Sequence, residues 1–367
     1  MNIIEKSKSS LKRQLFSRSD YVEKLDSLLT TRNMLVIIGQ RRVGKSSLVL
    51  DYLKTKDIDL DTVFYLNKEV DLERKIGSSK DLEELFVAYS QKHTIKYLII
   101  DEIQDIDHWE DFIREKLVYQ QYYIIITGSN SKFLSGELAT YFTGRYVSLE
   151  VFPFTYTEYL KIKTLPQNKE TFLEYLEIGG LPEIVLEQDK NLRKNYLENL
   201  LHSLLLKDIV ARYKIENYSL FEKVVLFLAQ NIGSMTSLRK IEDYLKKDKL
   251  SLSLPTISNY ISYLKTAYLI SECERYDILG KKVLEYNAKY FFTDLGLRNT
   301  LFYHTGFDIT KLLENYVYNM LIRNGYQVRV GNINGVEIDF VAEKDGRKLY
   351  IQVAYLIPSE EVYEREF

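Results

Sequence analysis

The chain has 367 residues, with 50 Lys and Arg against 52 Asp and Glu for a formal charge of −2; 46% of its residues are hydrophobic and 28% charged. The length predicts two or three domains, and the composition, that of a chain able to bury a core, excludes the disordered and fibrous classes. The near-zero charge excludes a surface that is basic all over and leaves local basic faces only.

One cysteine, Cys273, excludes an internal disulfide and a cysteine-built zinc site, which fits a reducing compartment and makes the cytoplasm the expected location. No apolar stretch reaches the roughly 18 residues of a membrane span, and the polar, basic start from Met1 to Asp20 has no apolar leader segment, so no membrane contact is expected. The 30 tyrosines read as compositional bias, and His93, His108, His202 and His304 show no metal-ligand spacing.

In chain order, the first 150 residues alternate strand and helix. Short apolar runs at Met34–Ile38, Val63–Leu66, Tyr97–Ile100 and Tyr122–Thr127 are separated by helix-length segments such as Lys80–Ala88 and Trp109–Tyr119. That alternation predicts crossover units on a parallel sheet. After Val151-Phe-Pro-Phe154 the period becomes helical, over Tyr156–Lys163, Lys169–Ile178 and Asn191–Tyr213, with a Gly179-Gly-Leu-Pro182 break.

Three short helices are expected between Phe221 and Ser271, the last opening at Pro255-Thr256, followed by strands near Ile270–Arg275 and Lys289–Thr293. Three helices and a hairpin outline a winged helix. From Asp308 a helix (Leu312–Asn324) and three strands (Gln327–Gly331, Glu337–Ala342, Leu349–Ala354) form a small α+β unit; little sequence remains after the acidic Glu361–Glu366 stretch to finish its sheet, so a partner is a candidate to complete it. The expected division is 1–155, 156–220 (helical lid), 221–305 (winged helix) and 306–367. The fold class is α/β: a P-loop parallel sheet, a helical lid, a winged helix and a small α+β unit.

Chemistry concentrates at Gly39-Gln40-Arg41-Arg42-Val43-Gly44-Lys45-Ser46-Ser47, which contains G-x-x-x-x-G-K-[ST] between an apolar strand and a helix. Glycines let backbone N–H groups curl around phosphate oxygens at a helix N-terminus, where the dipole favours negative charge. Lys45 is then expected on the β- and γ-phosphates of ATP, and the Ser46 hydroxyl on Mg²⁺. Arg41 and Arg42 are candidates for contact with phosphate or a neighbouring molecule.

Tyr97-Leu-Ile-Ile-Asp101-Glu102 is an apolar strand ending in two acids. Asp101 is expected to hold Mg²⁺ through water and Glu102 to orient and deprotonate the attacking water, which implies hydrolysis as well as binding. Ser129 and Asn130 end the next strand and are candidates to sense the γ-phosphate or hold the lytic water; capping of a following helix is the alternative. Arg145, in Thr143-Gly-Arg145, is a candidate arginine finger toward a neighbouring subunit's nucleotide, the alternative being a structural surface arginine.

These motifs, with Leu98-Ile-Ile-Asp-Glu-Ile-Gln104, Trp109, Thr127-Gly-Ser-Asn130, Gly179-Gly-Leu-Pro-Glu183, Leu206-Lys-Asp-Ile-Val210 and Tyr290-Phe-Phe-Thr-Asp-Leu-Gly-Leu-Arg298, resemble the AAA-type ATP-binding proteins of bacteria and archaea that carry an uncharacterised C-terminal domain. The resemblance spans nearly the whole chain and implies ATP binding.

The last unit is similar to restriction-endonuclease-like folds through Glu314 on a helix, Asp339 on a strand and Gln352 in the third motif. There two acids hold a metal that activates water and a lysine stabilises charge at the scissile phosphate. Here Gln352 replaces the acid and Ala354 the lysine, with Lys348 a candidate substitute on the same strand face, so a retired nuclease fold that binds DNA or a partner is favoured over an active one. The winged-helix region is only slightly basic, six Lys and Arg against four acids from Ile232 to Glu272. The leading expectation is a Mg²⁺-dependent ATPase whose nucleotide state controls contact with DNA or a protein partner. A slow-turnover nucleotide-gated DNA-binding or scaffold protein is the alternative, an ATP-regulated nuclease ranks behind both, and self-association stays open.

Overall fold

The computed structural model describes residues 16–68, 76–130, 141–280, 282–302 and 308–355, without the side chains of 282–286. The chain divides into two compact units, Met1–Val151 and Phe152–Phe367. The first contains α1 (Ser19–Leu29), β1 (Met34–Ile38), α2 (Lys45–Thr55), β2 (Val63–Asn67), α3 (Ser79–Ser90), β3 (Tyr97–Asp101), α4 (Trp109–Val118), β4 (Tyr123–Gly128) and β5 (Tyr146–Glu150). All five strands are parallel in the order β2-β3-β4-β1-β5. β1 is buried at all five positions because both faces of the sheet are covered, which is why its sequence is a continuous apolar run instead of an alternation.

One face packs Leu35 and Ile37 against Leu25 and Leu29 of α1 and Leu48 and Val49 of α2. On the other, edge-to-face aromatic contacts join Phe64 to Phe86 at 5.2 Å and Phe86 to Phe112 at 5.6 Å. Each such side chain contributes roughly 1.5–3 kcal/mol through burial. α1 went unread in the sequence, although Tyr21, Val22, Leu25 and Leu29 form a helical stripe. The helix expected between Asn130 and Thr143 lies largely outside the described residues, as do most of the Met1–Asp20 start, His304 and the Glu361–Glu366 stretch.

The second unit opens with α5 (Tyr156–Lys163), α6 (Lys169–Ile178), α7 (Pro182–Leu186) and α8 (Lys190–Ser203), the last continuing into a π-helical stretch at Leu204–Ala211. Next come α9 (Tyr218–Gln230), α10 (Leu238–Lys247), α11 (Leu254–Thr266), β6 (Ile270–Asp277), β7 (Lys282–Phe292), α12 (Leu295–Thr300), α13 (Ile309–Arg323), β8 (Gln327–Ile333), β9 (Val336–Lys344) and β10 (Arg347–Ile351). A mixed sheet runs β10-β9-β8-β6-β7, with β6 and β8 parallel and the other pairs antiparallel. The hairpin expected as a wing and the strands expected as a separate terminal unit are therefore one continuous sheet. The strand expected over Leu349–Ala354 ends at Ile351, which leaves Gln352 beyond it.

The Gly179-Gly-Leu-Pro and Thr-Asp-Leu-Gly-Leu-Arg motifs meet in this unit. Asp294 is 2% exposed, and its carboxylate accepts hydrogen bonds from Gly180 N at 2.8 Å and Leu297 N at 3.1 Å. Burial pushes the Asp294 carboxyl up to about 6 against the pull of these N–H donors. A Cβ on Gly180 would stand 2.2 Å from Phe154 O, and one on Gly296 2.1 Å from Ile178 O, so only glycine permits the approach. Asn299 donates to the carbonyls of Leu176 and Glu177, and Arg298 to that of Ala229. These motifs are a packing clasp that closes the carbonyls of α6 and α9 against α12.

Candidate active site

The apolar β1 delivers the chain to Gly39 at the carboxyl end of the sheet. Gly39 has φ +141°, and a Cβ there would lie 2.3 Å from Val151 O. Gly44, at φ 97°, turns the loop into α2 and offers no side-chain cap, so the first-turn N–H groups face outward as an anion cradle. Val43 is fully buried and pins the loop. Gln40 is 1% exposed with neither amide atom hydrogen-bonded. Arg42 adopts a left-handed backbone and is exposed, Arg41 is half-buried, and Ser47 lies exposed on the first turn of α2.

Lys45 is 4% exposed, and its ammonium donates to Gly39 O at 3.2 Å and Gln40 O at 3.3 Å while standing 3.4 Å from Glu102 Oε1. The other Glu102 oxygen accepts from Ser129 Oγ at 3.0 Å and from the Gln104 amide. Burial would raise the Glu102 carboxyl, but Lys45, these two donors and the charge of Arg41 outweigh it and hold it below its ordinary value. Glu102 has φ 57°, the left-handed region rarely used by a side-chain-bearing residue, and strain of this kind concentrates at functional sites.

Asp101 is 1% exposed at the end of β3. One oxygen accepts from Asn67 Nδ2 at 3.0 Å and Tyr65 OH at 3.3 Å, and the other from Thr127 Oγ1. The Ser46 hydroxyl lies beside the same carboxylate and favours its charged form. Burial first, and the neighbouring Glu102 charge second, push the Asp101 carboxyl above its ordinary value despite Ser46, Thr127 and Lys45. Two adjacent acids with a serine hydroxyl beside them at the mouth of an anion cradle fit a divalent cation shared with phosphate.

The sequence-predicted residues Gly39, Gly44, Lys45, Ser46, Asp101 and Glu102 thus converge at one point. Thr127 is the residue sequence reading left unassigned. The strand order inserts β4 between β1 and β3, so Thr127 bridges the two acids, donating to Asp101 and accepting from Glu102 N at 3.0 Å. Of the two candidates after β4, Ser129 reaches Glu102, and Asn130 is buried. Arg145 lies at the opposite end of the sheet: it is exposed, its carbonyl accepts from Met34 N at the start of β1, and Tyr146 pairs with Met34. Four residue steps of strand, about 13 Å, separate it from the phosphate-loop end, so it does not serve its own chain's loop.

The second expected cluster also assembles. Asp339 N donates to Gln352 Oε1 at 3.2 Å, and Asp339 Oδ2 accepts from Val353 N at 2.9 Å. Lys348 is not its cation: it sits 3.4 Å from Glu343 and 5.4 Å above the Tyr276 ring. The cation is Lys289 of β7, 2% exposed, whose ammonium lies 2.7 Å from Glu314, 2.7 Å from Glu337 and 3.3 Å from Asp339. Burial and the neighbouring acids push the Glu314 carboxyl up to about 7 although Lys289 pulls it down. A lysine embedded in the apolar run Ala288-Lys-Tyr-Phe-Phe292 was the signal available in the sequence.

Comparison with known proteins places this geometry in a family. Residues 31–160 match the family model described as an AAA domain, and residues 169–309 match a domain of unknown function. An uncharacterised protein of Haemophilus influenzae is 35% identical over 356 residues, covering 95% of this chain and 89% of that one. An uncharacterised protein of Methanocaldococcus jannaschii is 31% identical over 347 residues, covering 89% and 76%. Among solved structures, a Walker-type ATPase of Pyrococcus abyssi shares the fold at 16% identity with a TM-score of 0.55, over 78% of this chain and 96% of that one. No helix among the described residues is long and apolar enough to cross a membrane. With its phosphate loop, its paired acids and its two-unit layout, the chain belongs to this bacterial and archaeal family of AAA-domain P-loop proteins.

Proposed function

We propose that this protein binds ATP with Mg²⁺ and hydrolyses it, and that nucleotide state governs contact of the second unit with DNA or a protein partner. The observation that carries the reading is the convergence of Lys45, Ser46, Asp101 and Glu102 at the mouth of one glycine-built anion cradle. Ser46 and Asp101 would hold the metal, which when bound neutralises charge on the β- and γ-phosphoryl oxygens. Lys45 exchanges its carbonyl and Glu102 contacts for phosphate oxygens. That exchange frees Glu102, already ionised and aimed by Ser129 and Gln104, to orient and deprotonate the lytic water.

The finer layout is part of the same proposal: a helical lid over 156–220, and α9–α11 as a winged helix whose β6–β7 hairpin continues into the sheet of a nuclease-like terminal part. A cavity of 930 Å³ beside α11 supports a contact surface there; Arg239, Lys265, Glu272, Glu274, Ser258 and Ser262 are among its lining residues. Its two cations are matched by two acids, which suits a protein partner at least as well as DNA. Arg145, remote from its own loop, acts on this reading across a subunit interface in a self-assembled form, and the cytoplasm is the expected site of action.

Turnover of the full chain with and without DNA, beside Glu102→Gln, tests the proposal. Glu102→Gln is expected to bind ATP as wild type does while turnover falls by about 10²–10⁴-fold; equal turnover by the variant overturns the base assignment. The slow-switch reading is favoured by one specific observation, that both Glu102 oxygens are engaged by Lys45, Ser129 and Gln104. Tight ATP binding without turnover in the wild type would select it.

A further inference from the structure

The nuclease-like cluster raises a question of its own, because the resemblance to restriction-endonuclease-like folds implies a divalent metal between Glu314 and Asp339. The donor set does not fit one. A metal needs carboxylate oxygens converging at about 2.0–2.6 Å on a shared point with room for water. That central place is filled by the Lys289 ammonium, 98% removed from solvent and within ion-pair distance of three carboxylates from two elements, Glu314 of α13 and Glu337 and Asp339 of β9. Among the described residues no three His, Cys, Asp or Glu side chains are arranged to hold a metal ion.

Asp339 and Gln352 are engaged by the backbone as well. Asp339 Oδ2 is taken by Val353 N, and Gln352 Oε1, where the third motif would supply an acid, accepts from Asp339 N. Gly233 backs onto Glu314 so closely that a Cβ there would stand 2.5 Å from Glu314 Oε2. Lys348, the other candidate cation, is spent on Glu343 and the Tyr276 ring.

We infer that Lys289 has taken the metal's position: its side-chain ammonium is the resident cation of this carboxylate cluster, so the second unit is a metal-independent structural hub that does not cleave nucleic acid. Three carboxylates held by one fixed charge tie α13 to β9 and β7. A lysine buried among three acids cannot also reach a scissile phosphate. Whatever the second unit contacts, it contacts without a metal bridge through these residues. The inference is independent of the ATPase proposal, since it concerns another unit and other side chains.

The deciding experiment counts bound Mn²⁺ by electron paramagnetic resonance on nucleotide-free full chain, wild type against the Glu314→Gln/Asp339→Asn double variant. The same number of bound ions in both is expected, because the cluster takes none in either. Loss of one ion in the double variant overturns the inference. Plasmid DNA incubated with Mn²⁺ is a second readout: cleavage above background by wild type that disappears in the double variant also overturns it. Lys289→Met is expected to lower the melting temperature by about 10 °C, since it leaves the largely buried Glu314 and Asp339 carboxylates facing each other without their cation. An unchanged melting temperature would show that Lys289 is not the hub. Should Lys289→Met fail to fold, the ion count on wild type and the double variant still decides.

Discussion

Lys45 in the first unit and Lys289 in the second are both buried and both face carboxylates, yet their surroundings suit opposite purposes. Lys45 has one carboxylate at 3.4 Å and two carbonyls at 3.2 and 3.3 Å, at the rim of a loop whose N–H groups face outward. Lys289 has three carboxylates, two of them at 2.7 Å, inside a sheet and helix interface. Each ammonium has three partners, so the difference lies in their chemistry and distance: longer contacts, two of them to neutral carbonyls, suit a charge that exchanges partners, and shorter contacts to carboxylates alone suit a charge that stays in place. The kind and distance of a buried lysine's partners therefore say more about its use than its burial does, which is nearly the same in the two cases.

The sharpest way to break this comparison is a pair of substitutions. Lys45→Ala is expected to weaken ATP binding by at least about 100-fold, the effect of removing a charge-assisted phosphate contact, while shifting the melting temperature little. Lys289→Met is expected to do the reverse, and fluorescent-nucleotide titration beside thermal melting reads both. A nucleotide defect in the Lys289 variant would erase the distinction.

Gly296→Ala comes next, because a methyl group 2.1 Å from Ile178 O forces the clasp apart. It should cost about 2–4 kcal/mol, seen as a lower denaturant midpoint, with ATP affinity of the first unit unchanged. Thr127→Val removes the bridge between Asp101 and Glu102, taking a donor from the buried Asp101 carboxylate and an acceptor from the Glu102 N–H, a loss of about 1–3 kcal/mol with turnover down roughly tenfold. Ser129→Ala removes one of the donors to Glu102 and should slow turnover about two- to fivefold, an effect near 0.5–1 kcal/mol in single-turnover assays. An unchanged rate there would mean that Gln104 and Lys45 suffice to set the carboxylate.

What could be read in advance follows from locality. The phosphate loop is contiguous and Asp101-Glu102 closes an apolar strand, so pattern alone exposed them. Thr127 could not be found that way: a threonine ending a strand has no signature until the strand order places β4 between the two motif strands. Lys289 was missed for a related reason, since its meaning depends on Glu314, Glu337 and Asp339, which lie 25 to 50 residues later. Lys348 was misjudged because the strand was expected to continue through Ala354, whereas it stops at Ile351. The motifs around Gly179 and Asp294 were visible as motifs, yet their use as a clasp required both halves in place.

That clasp has a consequence for how the protein is made. Gly180 and Asp294 are 114 residues apart, and Leu176 and Asn299 are 123 apart. At a synthesis rate of about 5–20 residues per second, the first half of the clasp waits roughly 6 to 23 s for the second to be translated. During that interval Gly179, Gly180 and the carbonyls of α6 lack their final partners, while every strand of the first unit has already been made. Birth of this chain on the ribosome thus has a built-in order, with the sheet that carries the phosphate loop free to close early and the helices after it kept open until Asp294 arrives.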